Sequence, residues 1–351
     1  MLTNIEIESF KNLKHVNLEL NPLNIITGKH NIGKSNLLNL FDFLSHLVKK
    51  ELYDYCKKKG GISRLSFRGK DQEDNIYAVL KLEEKEKIYL YGFEITLDGD
   101  DYIFEDEYVG VKKSGISVTN IGLKRTEAGL KDQLIKPGSK VKEAGLFYTL
   151  LSNSRLYNFA DTSPESPLRM AVPMADALPY HPNGHNLSAY FYHLYDNDRD
   201  AYNKVEIAMK ESFVTIESFS FKLSGKNNKV QVFWTDRDTD MKMPLEDLSE
   251  GALRLLAHAL LLVIPRDKTY FPSLILIEEA GCGLHKTALQ QLTSLMRKAA
   301  EHTQIIATTQ NQQFVSLLSP TEVIVAENDE SGLVKMHRKG AGDLKRWQDE
   351  E

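Results

Sequence analysis

The length and composition of the chain are those of a globular protein with one large domain or two ordinary ones. It has 351 residues, of which 42% are hydrophobic and 26% are charged, and its longest apolar run, residues 257–264, is far too short to cross a membrane. Two cysteines give no disulfide framework, and an amphipathic first strand in place of a signal peptide favours a soluble, cytoplasmic protein. Because the net charge is −5, nucleic-acid binding would need a local basic surface.

The first predicted elements are three strands and a helix. Residues 5–8 and 16–20 alternate between apolar and polar side chains, and a polar turn at 10–13 separates them. The apolar residues 23–26 predict a third strand, and a helix-forming run follows at 36–48. A loop between such a strand and such a helix is the structural context of phosphate binding.

Residues 28–35 fit the phosphate-loop pattern G-x-x-x-x-G-K-[ST]. Gly28 and Gly33 allow the backbone to fold around phosphate oxygens. We predict that Lys34 neutralises the β- and γ-phosphates of ATP and that the Ser35 hydroxyl ligates Mg²⁺. An ordinary glycine-rich turn is the alternative, but the flanking strand and helix favour a nucleotide site. Four neighbouring residues are also assigned to ATP binding: Asn31, Asn36, Lys11 and Asn12.

The middle of the chain predicts a β-lobe and a helical insertion. Lysines and glycines at 57–61 indicate a loop after the first helix. Residues 75–111 then alternate with a period of two, broken at 98–101, which predicts an antiparallel β-lobe at about 62–123. Residues 124–212 are predicted to be a mostly helical insertion that prolines interrupt.

Two features of this insertion suggest ligands, and neither is specific. Six basic residues lie between 124 and 142, a pattern that indicates a solvated face more often than a nucleic-acid contact. His181, His185 and His193 lack carboxylate or cysteine partners at ligand spacing, so we expect no metal site there. Residues 183–187 are interpreted as the N-terminal cap of the following helix.

The C-terminal third supplies a second set of candidate site residues. Strand-like residues at 216–234 surround a turn at 225–228, which predicts a hairpin. Ser249 is a good N-cap for a helix predicted at 255–264, and Gly251 permits close approach of another backbone.

Two acidic residues follow a strongly apolar run at 273–277, which predicts a buried parallel strand. Glu278 would hold Mg²⁺ through water, and Glu279 would orient or deprotonate the attacking water. The alternative is that these carboxylates merely end a strand. It is less favoured because the same chain contains a phosphate loop. A further core strand at 303–310 ends at Gln310, which we assign to catalysis with Glu279.

The order of these motifs resembles that of AAA-type ATPases of the RecF, SMC and ABC branch. The chain is similar to compact predicted ATPases found beside bacterial overcoming-lysogenization-defect proteins and in phage-defence operons. The resemblance covers roughly 1–48 and 240–326. It rests on the phosphate loop, the Leu-Ser-x-Gly signature at 248–251, the paired glutamates, Gly283-Leu284-His285 and the Thr-Thr strand end at 308–309.

This resemblance implies an α/β fold, a single P-loop NTPase head of the ABC type. The nucleotide-binding core would comprise residues 1–48 and 213–335, with a mixed or parallel sheet. It also implies a composite site, in which two subunits enclose ATP between the phosphate loop of one and the helix start at 249–251 of the other. The expected assembly is a homodimer or a higher homo-oligomer that ATP holds together and hydrolysis releases.

The chain departs from its relatives at three places. Residues 279–282 read Glu-Ala-Gly-Cys where relatives often have Glu-Glu-Pro-Glu, and Lys286 replaces a proline. Gln310 and Asn311 stand where relatives usually have histidine and serine, and that histidine contacts the γ-phosphate. Because glutamine donates a hydrogen bond but carries no charge, slow hydrolysis is the resulting hypothesis.

The favoured function is an ATP-hydrolysing switch or sensor that controls a separate effector, a nuclease or toxin, in phage defence. Only about 25 residues follow 326, and they read as a strand and a charged tail. A RecF-like clamp on duplex DNA is the alternative, although the balanced charge argues against it. A transporter ATPase is a third hypothesis. It would need a membrane partner and usually has a Gln loop, which we do not find in this sequence.

Overall fold

The structure is a computed structural model that describes residues 1–67, 75–84, 86–98, 101–112, 116–135, 141–264 and 271–344. Three β-sheets and nine α-helices lie in this part of the chain. Among these helices, none combines the length and apolar character needed to span a membrane. The predicted α/β class is confirmed.

The strands in chain order are β1 (Leu2–Phe10), β2 (Leu13–Glu19), β3 (Leu23–Thr27), β4 (Asn75–Glu84), β5 (Lys87–Asp98), β6 (Asp101–Lys112), β7 (Ile116–Gly122), β8 (Ser154–Asn158), β9 (Ile216–Ser224), β10 (Lys229–Asp236), β11 (Lys242–Pro244), β12 (Leu274–Glu278), β13 (Gln304–Thr308), β14 (Val323–Asn328) and β15 (Val334–His337).

The helices are α1 (Lys34–Lys49), α2 (Leu52–Lys59), α3 (Leu130–Ile135), α4 (Lys142–Ser152), α5 (Leu187–Asn197), α6 (Arg199–Ser212), α7 (Glu250–Leu262), α8 (Lys286–Ala300) and α9 (Gln312–Val315).

The central sheet carries the phosphate loop. Its strand order is β15-β14-β3-β13-β12-β8, and every neighbouring pair is parallel except β14 with β15. Side chains that alternate along its strands pack in two different hydrophobic clusters, one on each face of the sheet. Leu274 and Leu276 pack with α1, whereas Ile275 and Ile277 pack with α7 and α8. Burial of both faces explains why these strands are apolar throughout.

The other two sheets are antiparallel and lie on opposite sides of this core. The first has the order β2-β1-β4-β5-β6-β7, so the N-terminal hairpin and the predicted β-lobe form one sheet that packs over α1. The third, β11-β10-β9, contains the predicted hairpin and packs with α5 and α6. Two residues of the predicted break at 98–101, residues 99 and 100, lie outside the described part of the chain.

The structure differs from the sequence predictions in the segment 124–212. Besides helices it contains β8, which pairs in parallel with β12 at the edge of the central sheet. This strand has only five residues, three of them polar, so neither an apolar run nor a regular alternation marks it. The loop predicted at 57–61 is also wrong in part: its lysines form the last turn of α2, where cations are favourable, and Gly60 ends the helix with φ 86°.

Asn186 does not cap α5 with its side chain, contrary to the prediction for 183–187. It is fully buried and holds the preceding loop instead. Its Oδ1 accepts from the His181 N–H at 3.0 Å, and its Nδ2 donates to the carbonyls of Asp176 and Pro179, both at 2.9 Å, and of Ala177 at 3.1 Å. One side chain thus contacts four main-chain groups of the proline-rich loop before α5, and its two Nδ2 hydrogens are shared among the three carbonyls.

Candidate active site

The phosphate loop begins where β3 ends, in the middle of the central sheet. β3 lies between β13 and β14, and α1 starts directly after Gly33. The loop therefore opens at the C-terminal edge of the parallel strands, where open α/β sheets bind ligands. The N-terminal end of α1 contributes main-chain donors and a positive dipole end at the same place.

Glycine is required at two positions of this loop. Gly28 has φ 146° and Gly33 has φ 107°, values that favour glycine. A Cβ on Gly28 would overlap the carbonyl of Ala326 on β14, and a Cβ on Gly33 would overlap the side-chain amide of Asn12. Asn31, between the two glycines, is exposed and has a φ of 59°, which asparagine tolerates.

Lys34 lies inside its own loop. The residue is 4% exposed, and its ammonium donates to the carbonyls of Gly28 at 2.6 Å and Lys29 at 2.8 Å. Charged phosphate oxygens are stronger acceptors for an ammonium than these carbonyls, so a triphosphate can take their place. Ser35 is half-buried in the first turn of α1, and its hydroxyl is the kind of oxygen ligand that Mg²⁺ prefers.

The turn between β1 and β2 braces the loop from the side. Asn12 donates from Nδ2 to the carbonyl of Ile32 at 3.2 Å, and its Oδ1 accepts from Nδ2 of Asn36 at 2.6 Å. The main-chain N–H of Lys11 donates to the carbonyl of Leu65 at 2.8 Å. Asn12 and Asn36 therefore shape the loop, and direct contact of either residue, or of Lys11, with ATP stays a prediction.

A cleft of about 850 Å³ opens beside the loop. Its walls are formed by the β1–β2 turn, the phosphate loop and the turn between β14 and β15. The size is that of a small-molecule site. Lys14 and Lys29 lie on its wall, and their charges suit an anionic ligand such as a nucleotide.

Glu278 ends β12 and is oriented by a residue of β8. Nδ2 of Asn158 donates to Oε2 of Glu278 at 3.0 Å, and the two residues are register partners in the sheet. A carboxylate and a hydroxyl such as that of Ser35 are both oxygen ligands of the kind that Mg²⁺ prefers, and their joint role at a metal stays a prediction. The sequence analysis missed Asn158 because it did not predict the strand that carries it.

Glu279 occupies a strained backbone position directly after β12. Its φ is 51°, and a non-glycine residue in this region costs about 1–3 kcal/mol. Thr308 on β13 holds the turn: its Oγ1 accepts from the Glu279 N–H at 3.1 Å, and its carbonyl accepts from the Ala280 N–H at 2.7 Å. The neighbouring strand therefore determines where the carboxylate of Glu279 stands.

Gln310 reaches Glu279 from the end of β13. Its Nε2 donates to Oε1 of Glu279 at 2.9 Å, and its Oε1 lies 3.3 Å from Nδ1 of His30 in the phosphate loop. The structure thus brings together the two residues assigned to catalysis and adds His30. No sequence signal selected His30, because it occupies a variable position of the phosphate-loop pattern.

The residues beside Gln310 fix the turn that follows Glu279. Oγ1 of Thr309 donates to the carbonyl of Ala280 at 2.7 Å, and Nδ2 of Asn311 donates to the carbonyl of Gly281 at 2.9 Å. Oδ1 of Asn311 also accepts from the Phe314 N–H at 3.0 Å and caps α9. Asn311 therefore fills a structural role.

Ser249 and Gly251 stand at the start of α7, on the other side of this turn. Ser249 is an exposed N-cap, as predicted: its Oγ accepts from the Ala252 N–H at 3.3 Å. A Cβ on Gly251 would come within 3.0 Å of the carbonyl oxygen of Gly283. The start of α7 therefore packs against the turn after Glu279, and neither contact involves the phosphate loop of the same chain.

Farther along α7, two residues stabilise the helix. Arg254 donates to the carbonyl of Ala160 at 3.0 Å and to Oγ1 of Thr162 at 3.1 Å. His258 is buried, with Nδ1 at 2.7 Å from the carbonyl of Arg254. Burial lowers the pKa of His258 to about 4, so its imidazole is neutral at physiological pH and belongs to the packing of α7.

Sequence comparison relates the chain to ATPases. Residues 23–316 match the family described as "AAA domain, putative AbiEii toxin, Type IV TA system". A protein of Helicobacter pylori (strain ATCC 700392 / 26695) named "ATP/GTP phosphatase" is 22% identical in an alignment of 351 positions, which covers 94% of this chain and 90% of that protein.

Solved SMC heads share the fold. An SMC head bound to the C-winged helix domain of ScpA has a TM-score of 0.59 at 13% identity, covering 98% of this chain and 99% of its own. The SMC head domain from Thermotoga maritima has a TM-score of 0.53 at 14% identity, covering 97% and 99%. At such identities the likeness concerns the fold, and it confirms the predicted ABC-type P-loop head.

Proposed function

Because this chain belongs to the AAA-domain family that its residues 23–316 match, we propose that it binds ATP with Mg²⁺, hydrolyses it slowly and acts as a switch on a separate effector protein. One observation carries the proposal: the hydrogen bonds from Gln310 to Glu279 and to His30 join the two catalytic candidates to the phosphate loop at one sheet edge. An acceptor for the proton of water and a phosphate-binding loop are two of the parts that ATP hydrolysis uses, beside Mg²⁺.

In the proposed complex, the main-chain N–H groups of residues 28–35 and the ammonium of Lys34 hold the phosphates. Lys34 exchanges its present carbonyl partners for phosphate oxygens. The Ser35 hydroxyl would ligate Mg²⁺, and Glu278 would hold the ion through water; the bound ion would neutralise charge on the phosphates. Asn158 keeps one oxygen of Glu278 engaged and so orients the carboxylate.

Glu279 is the proposed acceptor for the proton of the attacking water. Its carboxylate is positioned by the strained turn at φ 51° and by the amide of Gln310. A glutamine at this place donates a hydrogen bond but adds no positive charge, so it stabilises the developing negative charge on the phosphate less than a histidinium would. This difference supports slow turnover.

The second half of the site is proposed to come from another copy of the chain. Ser249 and Glu250 at the start of α7 are exposed, and the first N–H groups of a helix form an anion site. A partner subunit would present this helix start to the γ-phosphate, so ATP would join two chains into a homodimer. Hydrolysis would remove that link.

The proposed effector is a nuclease or toxin that acts in phage defence. The family description names a putative toxin, and one SMC head of the same fold is bound to a domain of ScpA. Heads of this architecture can therefore carry a partner protein. The nucleotide state of the switch would decide whether the effector is held or released.

The alternative, a clamp on duplex DNA, has less support from the contacts of the basic stretch 124–142. Arg125 and Lys50 both pair with Asp132, at 3.3 and 2.6 Å, and Lys131 donates to the carbonyl of Lys49 at 3.3 Å. Arg125 and Lys131, two of the six basic residues of the stretch, are therefore engaged within the chain. Residues 136–140 of the stretch lie outside the described part of the structure.

ATP binding and turnover of three variants test the proposal. Lys34→Ala should lose ATP affinity, and Glu279→Gln should bind ATP but not hydrolyse it. Lys226→Ala, in the exposed turn of the β9–β10 hairpin, is the matched control and should behave like the wild type. Unchanged ATP affinity of Lys34→Ala would refute the phosphate-loop assignment. Capture of partners from native cells on Glu279→Gln with ATP would identify the effector, whereas salt-sensitive, ATP-dependent binding of duplex DNA would favour the clamp.

A further inference from the structure

His30 joins the phosphate loop to the catalytic strand end. It is the third residue of the loop, and its Nδ1 lies 3.3 Å from Oε1 of Gln310. The same glutamine donates from Nε2 to Oε1 of Glu279 at 2.9 Å. The three side chains form a continuous chain of hydrogen bonds that runs from residue 30 to residue 279.

The chemistry of these groups sets the direction of each hydrogen bond. An ionised carboxylate only accepts, so the amide of Gln310 must turn its NH₂ group toward Glu279. Its carbonyl then faces His30 and can only accept, so His30 must carry a proton on Nδ1. This arrangement selects one tautomer of His30 and one orientation of Gln310, and each depends on the other.

The backbone around His30 also connects it to the phosphate contacts. The carbonyl of Lys29, the preceding residue, accepts a hydrogen bond from Lys34 at 2.8 Å. His30 itself lies on the wall of the 850 Å³ cleft. Any ligand that draws Lys34 away from Lys29 therefore changes the contacts of the residue next to His30.

We propose that His30 is a positioning residue for hydrolysis, which acts through Gln310 on the carboxylate of Glu279. The inference rests on the proposed function and deepens it, since it names a residue that sets the geometry of the base. His30 holds the amide, and the amide holds Glu279.

Kinetics of substitutions at residues 30 and 310 test this inference. In His30→Ala, kcat should fall about tenfold, the effect of losing one hydrogen bond of about 1.4 kcal/mol, while KM for ATP changes less than twofold. His30→Asn places an amide N–H where Nδ1–H stood and should restore most of kcat. His302→Ala, an exposed histidine in the turn after α8, is the matched control and should leave both constants unchanged.

A double-mutant cycle separates positioning from a merely structural role. If His30 acts through Gln310, His30→Ala should have little further effect on kcat in a Gln310→Ala background. Additive losses, or a rise in KM without a fall in kcat, would overturn the inference. So would wild-type kcat in His30→Ala while Glu279→Gln is inactive, a result that leaves the proposed function intact. If the wild type neither binds nor hydrolyses ATP, both proposals fail together.

Discussion

Gln310 donates a hydrogen bond from its Nε2 to the Oε1 of Glu279 at 2.9 Å, across the ends of two neighbouring parallel strands. This contact places an uncharged donor beside the proposed base. In Gln310→His we expect kcat for ATP to rise about tenfold, because a charge-assisted hydrogen bond to phosphate is roughly twice as strong as a neutral one. Steady-state phosphate release measures the effect. Equal turnover of the two proteins would contradict slow hydrolysis caused by Gln310.

The composite site predicts complementation between two inactive variants. Lys34→Ala lacks the phosphate contact, and Ser249→Arg blocks the exposed helix start that a partner would offer. Each protein alone should be inactive. An equal mixture should regain about a quarter of wild-type turnover, because half of the dimers are mixed and each has one intact site. No recovery after subunit exchange would indicate that the whole site lies within one chain.

The amide of Asn158 should lower the Mg²⁺ concentration that turnover needs. In Asn158→Leu, Glu278 loses its 3.0 Å hydrogen bond, and the Mg²⁺ concentration for half-maximal turnover should rise roughly 10- to 100-fold. A magnesium titration at saturating ATP measures this shift. Asn120→Leu, an exposed substitution on β7, serves as the control and should leave the titration unchanged.

Asn186 should contribute strongly to stability without contacting the site. Asn186→Ala removes a side chain that bonds four main-chain groups, and the free energy of unfolding should fall by about 3 kcal/mol. Asn186→Asp should cost more, because a carboxylate would face the carbonyls of Asp176, Ala177 and Pro179. Urea denaturation measures both values. The exposed Asn183→Ala should change stability by less than about 0.5 kcal/mol.

His258 should make the fold sensitive to mild acid. Its pKa is lowered by burial to about 4, whereas an unfolded histidine titrates near 6.5. The unfolded chain therefore takes up a proton first, and the stabilising contribution present above pH 6.5 is lost as the pH falls toward 4. Between pH 7.5 and 5.5 the loss is about 1.4 kcal/mol. His258→Asn should show a smaller loss over this interval in urea denaturation.

The sequence predicted best those segments in which the residue pattern and the chemistry of the residues indicate the same structure. The strand, glycines and lysine of the phosphate loop are determined locally, because each position has a backbone or charge requirement. β12 and β13 are apolar on both faces, so their apolar residues were enough to predict that both strands lie in the core. β8 could not be predicted, because its five residues owe their conformation to pairing with β12. Asn158 was missed with it.

The contacts of His30 and Asn186 could not be predicted from the sequence for a different reason. His30 stands at a variable loop position, and its partner Gln310 is 280 residues away. Asn186 follows a helix-cap pattern, but its side chain satisfies a loop that precedes it. In both cases the sequence specifies the residue type and the tertiary fold decides its partner.

The left-handed backbone of Glu279 implies a trade-off between stability and activity. A glutamate at φ 51° carries strain that glycine would not. Glu279→Gly should therefore melt at a higher temperature than the wild type while losing all turnover. The chain thus keeps a strained residue at the point where we propose that a proton is taken from water.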